Sequence, residues 1–310
     1  MAAFQAKVRA GITRAVDMKG GVPPTYLAYT VAEYDLLPGA DRQGRPYVRA
    51  RRFEPALLPL FLEGPVHALK VQPTMAEARR LYAAVRAGDL YDAKLGMYKV
   101  NASLRDQPHE IGRARAFTPG WLENESIWLH MEYKYLLEVL NAHLYEEFYE
   151  DFSRALICFQ DPAVYGRSPL ENSSFLVSSA HPDASLHGAG FVARLSGATA
   201  EFLSIWTTMM AGRRPFFLQD GELCLALRPV LPAWLFDAKN KLAFTFLGHS
   251  PVTVHNPRRV DTWRDESANR LAVLHLPGRD PLHFPGGIIP APYAAMVRAG
   301  QATAIDLFLP

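Results

Sequence analysis

The sequence predicts an α+β chain, helical over residues 1–214 and built over residues 215–310 as a C-terminal antiparallel β-sandwich. Three observations carry this. Apolar residues recur at helical spacing as far as about residue 211. After Arg213 the period drops toward two, in short runs separated by Gly, Pro, Asp and Asn. The strand–helix alternation of a nucleotide-binding sheet is missing, as are Gly-x-Gly-x-x-Gly, P-loop, His-Glu-x-x-His and Gly-x-Ser-x-Gly patterns. At 310 residues the chain suits about two domains, each able to bury a core.

The elements follow in order. Phe4, Val8, Ile12 and Val16 stand four apart, the stripe of an amphipathic helix. Residues 20–52, with Gly-Gly-Val-Pro-Pro and Leu-Pro-Gly-Ala-Asp, read as a loop-rich stretch with room for a hairpin, and Arg49, Arg51 and Arg52 as solvated surface. Thr74 and Glu77 form a capping box that opens a helix over 75–87, and Gly88 closes it. Ile127, Met131, Tyr135 and Val139, then Phe148, Phe152 and Leu156, predict two packed antiparallel helices broken near Asn141 to His143. A further helix spans about 198–211 and stops at Gly212. Strands are expected at Leu223–Leu227, Leu242–Leu247, Val252–His255, Leu271–Leu276 and Ala304–Leu309, with Asp220-Gly221 as a hairpin turn.

Composition excludes several classes. Residues of the AVILMFWYC set make up 49% and charged residues 21%, ordinary globular values. The net charge of +2 lacks the basic excess of nucleic-acid binders. Cys158 and Cys224 both lie in apolar runs, so neither a disulfide framework nor a thiolate zinc cage is expected, and a reducing cytoplasm fits. No apolar run reaches the ~18 residues of a membrane span, and the N-terminus lacks the order of a signal peptide. His181, Asp183 and His187 are too few for a metal site, and none is expected.

Two stretches hold chemistry. Residues 119–130 run as a polar loop into a helix start, placing His130 on its first turn beside Trp128, Glu123 and Asn124. Aromatic faces and carboxylates together suit a sugar. Ser196-Gly197 opens a helix of small residues, where a hydroxyl and free backbone N–H groups offer an anion site. Ser196 also has the character of an ordinary N-cap.

Together the two stretches resemble the C-terminal half of the inverting glycoside phosphorylases of glycoside hydrolase family 94, the cellobiose and chitobiose phosphorylase group. Glu123-Asn124-Glu125-Ser126-Ile127-Trp128-Leu129-His130 has the spacing of the family's Glu-Asn-Gly-Gly-Ile-Phe/Tyr-x-His element, with Glu125 and Ser126 in place of the glycines. Ser196-Gly197-Ala198-Thr199-Ala200-Glu201 resembles its Thr-Gly-Ser/Thr-Ala-x-Trp element, with Glu201 where an aromatic is usual. Leu223 through Trp234 resembles its Leu-x-Ile-x-Pro-x-Leu-Pro-x-x-Trp signature. The likeness covers about residues 115–260 and fades over the first hundred.

The resemblance implies part of an (α/α)6 helical barrel over 1–214 and a phosphorylase that cleaves a β-linked di- or oligosaccharide with inorganic phosphate, giving an inverted sugar 1-phosphate. It implies that His130, Ser196, Gly197 and, as a stand-in for a family glutamine, Ser178 or Ser179 hold phosphate. Glu123, Asn124 and Trp128 would line the sugar. Phosphate is the only co-substrate implied. The family's general acid is an aspartate whose motif does not occur between Met1 and Glu123, so it is expected upstream of residue 1 and the chain is expected to be a C-terminal portion. Glu123, Glu125 and Asp92 are the local carboxylates that stand as substitutes, with Glu125 expected in solvent. Two other readings follow: a non-catalytic carbohydrate-binding or partner subunit, and an inverting hydrolase, which needs two carboxylates flanking the sugar. Expected partners are the sugar and phosphate, with a homodimer or a chain carrying the N-terminal half, and neither nucleic acid nor membrane.

Overall fold

The computed structural model describes residues 2–17, 21–71, 74–192, 196–264 and 270–310, leaving out the side chains of 14–17 and 196. The fold is mixed α+β, and its contacts divide it into two compact units, Met1–Glu201 and Phe202–Pro310.

The first unit opens with α1 (Ala2–Asp17), whose Phe4, Val8 and Ile12 stripe is exposed. Strands β1 (Leu27–Ala40) and β2 (Pro46–Leu57) then form an antiparallel hairpin where the loop-rich stretch over 20–52 left room for one, and it is longer than that stretch suggests. The Pro38-Gly39 pair that reads as loop punctuation sits at a register shift between Leu36 and Ala40. The hairpin turn is set by the Asp41 carboxylate, which accepts from the Gln43 and Arg45 N–H groups, and by Gly44 at a φ of +76°.

Helices α2 (Glu63–Lys70) and α3 (Met75–Arg86) follow. Both bonds of the Thr74/Glu77 capping box form. After β3 (Tyr91–Asp92) and β4 (Met97–Tyr98) come β5 (Ile127–Trp128), α4 (Leu129–Asn141), α5 (Tyr145–Ala155) and the short α6 (Pro162–Tyr165). Helix α4 starts later than the apolar spacing suggests because Ile127 and Trp128 are held as a strand by β6 (Phe175–Leu176), which also pairs with β7 (Gly190–Phe191). Helix α7 (Ser196–Ala211) ends at Gly212, whose φ is +88°.

Leu62, Val66 and Leu69 from the α2 segment, Leu136, Val139 and Leu140 of α4 and Phe148 of α5 are all buried. Each such side chain contributes about 1.5–3 kcal/mol. Within this core Asp151 is fully buried and accepts from Tyr98 Oη (2.8 Å), Tyr82 Oη (3.0 Å) and Arg86 Nη1 (2.8 Å), joining α3, β4 and α5. Burial pushes the Asp151 carboxyl up to about 6, against the pull of Tyr98 and Arg86. Glu132, buried beneath Tyr98, is raised for the same reason.

The second unit holds β8 (Phe216–Gln219), β9 (Glu222–Ala226), β10 (Lys241–Phe246), β11 (Ser250–His255), β12 (Leu271–His275), β13 (Leu282–Pro285), β14 (Ile288–Ile289), α8 (Tyr293–Arg298) and β15 (Ala304–Phe308). One sheet runs β10-β11-β15-β12-β13 and the other β14-β9-β8. Phe216 of β8 stacks on Phe246 of β10 with ring centroids 5.9 Å apart. Asp220 and Gly221 both take left-handed φ, +53° and +83°, the turn expected of an Asp-Gly pair between Gln219 and Glu222. One ladder departs from the antiparallel expectation. Strand β15 arrives beside β11 in parallel, after the chain has passed through α8. The eight helices among the described residues do not close a barrel.

Candidate functional site

The loop before α4 is a set of tight turns fixed by hydrogen bonds. Gly120 sits at a φ of +81°, and a Cβ there would come within 2.6 Å of the His181 nitrogen, so only glycine fits. Its N–H donates to the Asn124 carbonyl (2.8 Å), and the Asn124 N–H to that of Trp121 (3.1 Å). Leu122 and Glu125 are left-handed non-glycine residues, with φ of +48° and +58°. The position where the resembled family has glycine therefore keeps a glycine-like backbone with a glutamate on it.

Two neighbours stabilise this conformation. The Leu122 carbonyl accepts from both the Ser126 hydroxyl and Trp128 Nε1, the latter at 2.7 Å. Asn101, fully buried, donates from Nδ2 to the Glu123 carbonyl (2.6 Å) and accepts at Oδ1 from the Glu125 N–H (2.7 Å). It does for this loop what a neighbouring strand does in a sheet. Sequence reasoning missed Asn101. Its one signal is a polar residue between the apolar Val100 and Ala102.

Glu125 is not in solvent as expected. It is buried and paired with Lys99 Nζ at 3.1 Å. Asp92, another expected substitute acid, is buried with both oxygens occupied by the Lys94 and Leu95 N–H groups and by the backbone and hydroxyl of Ser179. That also commits Ser179. Ser178 is buried, its N–H donating to the Gly120 carbonyl (3.3 Å) and its hydroxyl accepting from the Ala180 N–H (3.2 Å). It serves the turn, and no described contact joins it to His130.

Glu123 keeps one carboxylate oxygen, Oε1, on Arg113 Nη2 at 2.7 Å, while Oε2 is buried with no partner among the described residues. Asn124 donates to the Phe117 carbonyl (2.7 Å), and its Oδ1 is likewise buried and unpartnered. Trp128 stacks on Phe175 (5.9 Å) and meets the His130 ring edge-on (5.7 Å), which fixes the imidazole plane.

His130 is half-buried on the first turn of α4, and its Nδ1 is buried without a partner among the described residues. Burial first, then Lys134, lowers its pKa below the ordinary imidazole value, with Glu63 opposing. The free ring is therefore neutral at neutral pH and offers one N–H donor and one acceptor. Gly197, on the first turn of α7, lies against it. A Cβ on Gly197 would stand 3.3 Å from His130 Cβ and 3.7 Å from Cγ. The first N–H groups of a helix have no intrahelical acceptor, and the helix dipole makes that end positive. The Ser196 side chain lies outside the described residues.

The structure thus brings His130, Gly197 and Trp128 together, and ties Glu123 and Asn124 to Trp128 through the Leu122 turn. It does not bring Ser178 to them. Among the described residues no group of three or more His, Cys, Asp or Glu side chains is placed to hold a metal ion, and no helix is long and apolar enough to cross a membrane. His181 and His187 bond instead to the backbone of Asp183 and His181. A scan against protein-family models and a search of curated proteins find no match to this chain.

Proposed function

We propose that His130 and the first turn of α7 hold inorganic phosphate in a glycoside phosphorylase acting on a β-linked di- or oligosaccharide. The observation that carries this is the buried Nδ1 of His130, without a partner among the described residues, on a ring packed directly against Gly197. A buried polar atom without a partner is costly, by about 1–3 kcal/mol, and a bound oxyanion removes that cost. The positive end of α7 favours the same ligand.

In this reading the chemistry follows from aiming the anion. A phosphate oxygen attacks the anomeric carbon from the face opposite the departing oxygen, the glycosidic C–O bond breaks, and the departing oxygen takes a proton from a carboxylic acid. The product is a sugar 1-phosphate with inverted configuration. Convergent N–H donors desolvate and orient the dianion, where a single strong charge would not fix its direction. Glu123, with one unengaged oxygen, Asn124 and Trp128 would line the sugar. Glu125 and Asp92, both engaged, do not supply the proton. Helices α2 to α5 and α7 would form part of an (α/α)6 barrel around this site.

Titration calorimetry with inorganic phosphate tests the reading. His130→Ala is expected to weaken phosphate binding at least about tenfold. Binding of a β-linked disaccharide should change far less. Equal loss of both ligands, or of neither, contradicts the proposal.

A further inference from the structure

Helix α4 is open along one strip only. Eight of its 13 residues are buried, and His130, Lys134, Leu137 and Asn141, which recur at helical spacing, form a partly exposed line along it with Met131 to one side. His130 stands at the start of that line, against Gly197. Lys134 is one turn on, at a position whose Cβ lies about 5–6 Å from that of His130. A helical side chain leans back over the turn before its own, which here is the turn that carries His130.

Lys134 has no counterion among the described residues. It is half-buried, and its ammonium makes neither a hydrogen bond nor an ion pair with any of them. Carboxylates on and beside α4 are engaged elsewhere. Glu63 of α2, the helix packed against α4, accepts from Tyr26 Oη (3.1 Å) and lies 3.5 Å from His67 Nε2. Glu138, one turn beyond Lys134, accepts from Asn141 Nδ2 (3.4 Å). The lysine's charge reaches the imidazole, which burial first and Lys134 second hold below its ordinary pKa. A partly desolvated ammonium without a partner is unfavourable, and a bound anion relieves it.

The ring and the end of α7 lack a full positive charge between them. A neutral imidazole contributes none, and a helix N-terminus contributes about half an elementary charge, against the two negative charges of a phosphate dianion. We propose that Lys134 Nζ is a further phosphate-binding group, donating to the anion that His130 and the first turn of α7 hold and supplying the charge that they do not. The inference rests on the phosphate reading of this site.

Two measurements on the full chain test it. Lys134→Gln removes the charge from a partly open helix position, with a thermal melt to show that the fold survives and Lys134→Met as the second variant if it does not. In the ligand-free variant the NMR titration of His130 should move upward, because a neighbouring cation no longer opposes protonation. An unmoved titration places Lys134 away from the ring and overturns the inference whatever the site binds. Calorimetric titration with inorganic phosphate should then show binding weakened roughly tenfold to a hundredfold in Lys134→Gln and largely kept in Lys134→Arg, which retains the charge. Phosphate affinity unchanged in Lys134→Gln but lost in His130→Ala overturns the role of Lys134 and leaves the site standing. An unaltered chain that binds no phosphate removes the site and the inference together.

Discussion

Gly197→Ala separates binding from folding at the proposed phosphate site. The new Cβ would sit 3.3 Å from His130 Cβ, inside the 3.5–4.0 Å of an ordinary carbon contact. The imidazole or the first turn of α7 must move by a few tenths of an ångström. Alanine in a helix is worth up to about 1 kcal/mol over glycine, which offsets the crowding, so overall stability should change by no more than about 1 kcal/mol. The phosphate contact has no such compensation. A hydrogen bond to a charged group contributes about 1.5–3 kcal/mol, and misplacing one weakens phosphate binding roughly tenfold or more. Calorimetric phosphate titration beside a thermal melt reads both quantities. Unchanged phosphate affinity in a folded Gly197→Ala protein would refute the reasoning, because the ring and the helix end would then not share a ligand.

Gly190→Ala would drive a Cβ to 2.2 Å from Tyr165 Cε2 and 2.4 Å from Ser173 Oγ, so urea unfolding should show a loss of about 2–3 kcal/mol, and a loss under 0.5 would contradict the packing. Asn101→Ala strips the Glu123 carbonyl and the Glu125 N–H of their partner and should cost about 2 kcal/mol while weakening sugar binding; a shift in neither would show that the loop holds itself. Asp151 titrates near 6 when folded and lower when unfolded, so the folded state binds the extra proton between those values. Stability from this group therefore rises as pH falls from about 7 to 4, by about 2–3 kcal/mol, and Asp151→Asn should flatten that part of the profile.

Helix grammar was legible because it is local. The capping box at Thr74 and Glu77, the stop at Gly212 and the Asp220-Gly221 turn each act within a few residues, and all three take the expected geometry. The length of the β1–β2 hairpin was obscured by Pro38-Gly39, which marks a register shift and not a loop, and by a face whose apolar residues stay exposed. Strands β8, β13 and β14 and helix α8 are only two to six residues long, too short to establish a period. The parallel pairing of β15 with β11 is non-local and leaves no trace in either segment.

At the candidate site, residue type and helix position singled out His130 and Gly197 separately and the family resemblance joined them; the structure places Gly197 against the His130 ring. What it did not show was the burial of Glu125 against Lys99, because a polar loop residue reads as solvated until a distant lysine is seen beside it. The commitment of Ser178 to its own turn and the role of Asn101 depend equally on partners far along the chain.

The ring of His130 gives the sharpest reading of the phosphate site. Followed by NMR across pH, its titration in the ligand-free chain should fall below the ordinary imidazole range, as burial and Lys134 require. Saturating inorganic phosphate should move it upward, because a neighbouring anion stabilises the protonated ring, and His130→Ala should weaken phosphate binding, measured in parallel, at least about tenfold. A ring whose titration is the same with and without phosphate, in a chain that remains folded, would contradict the assignment.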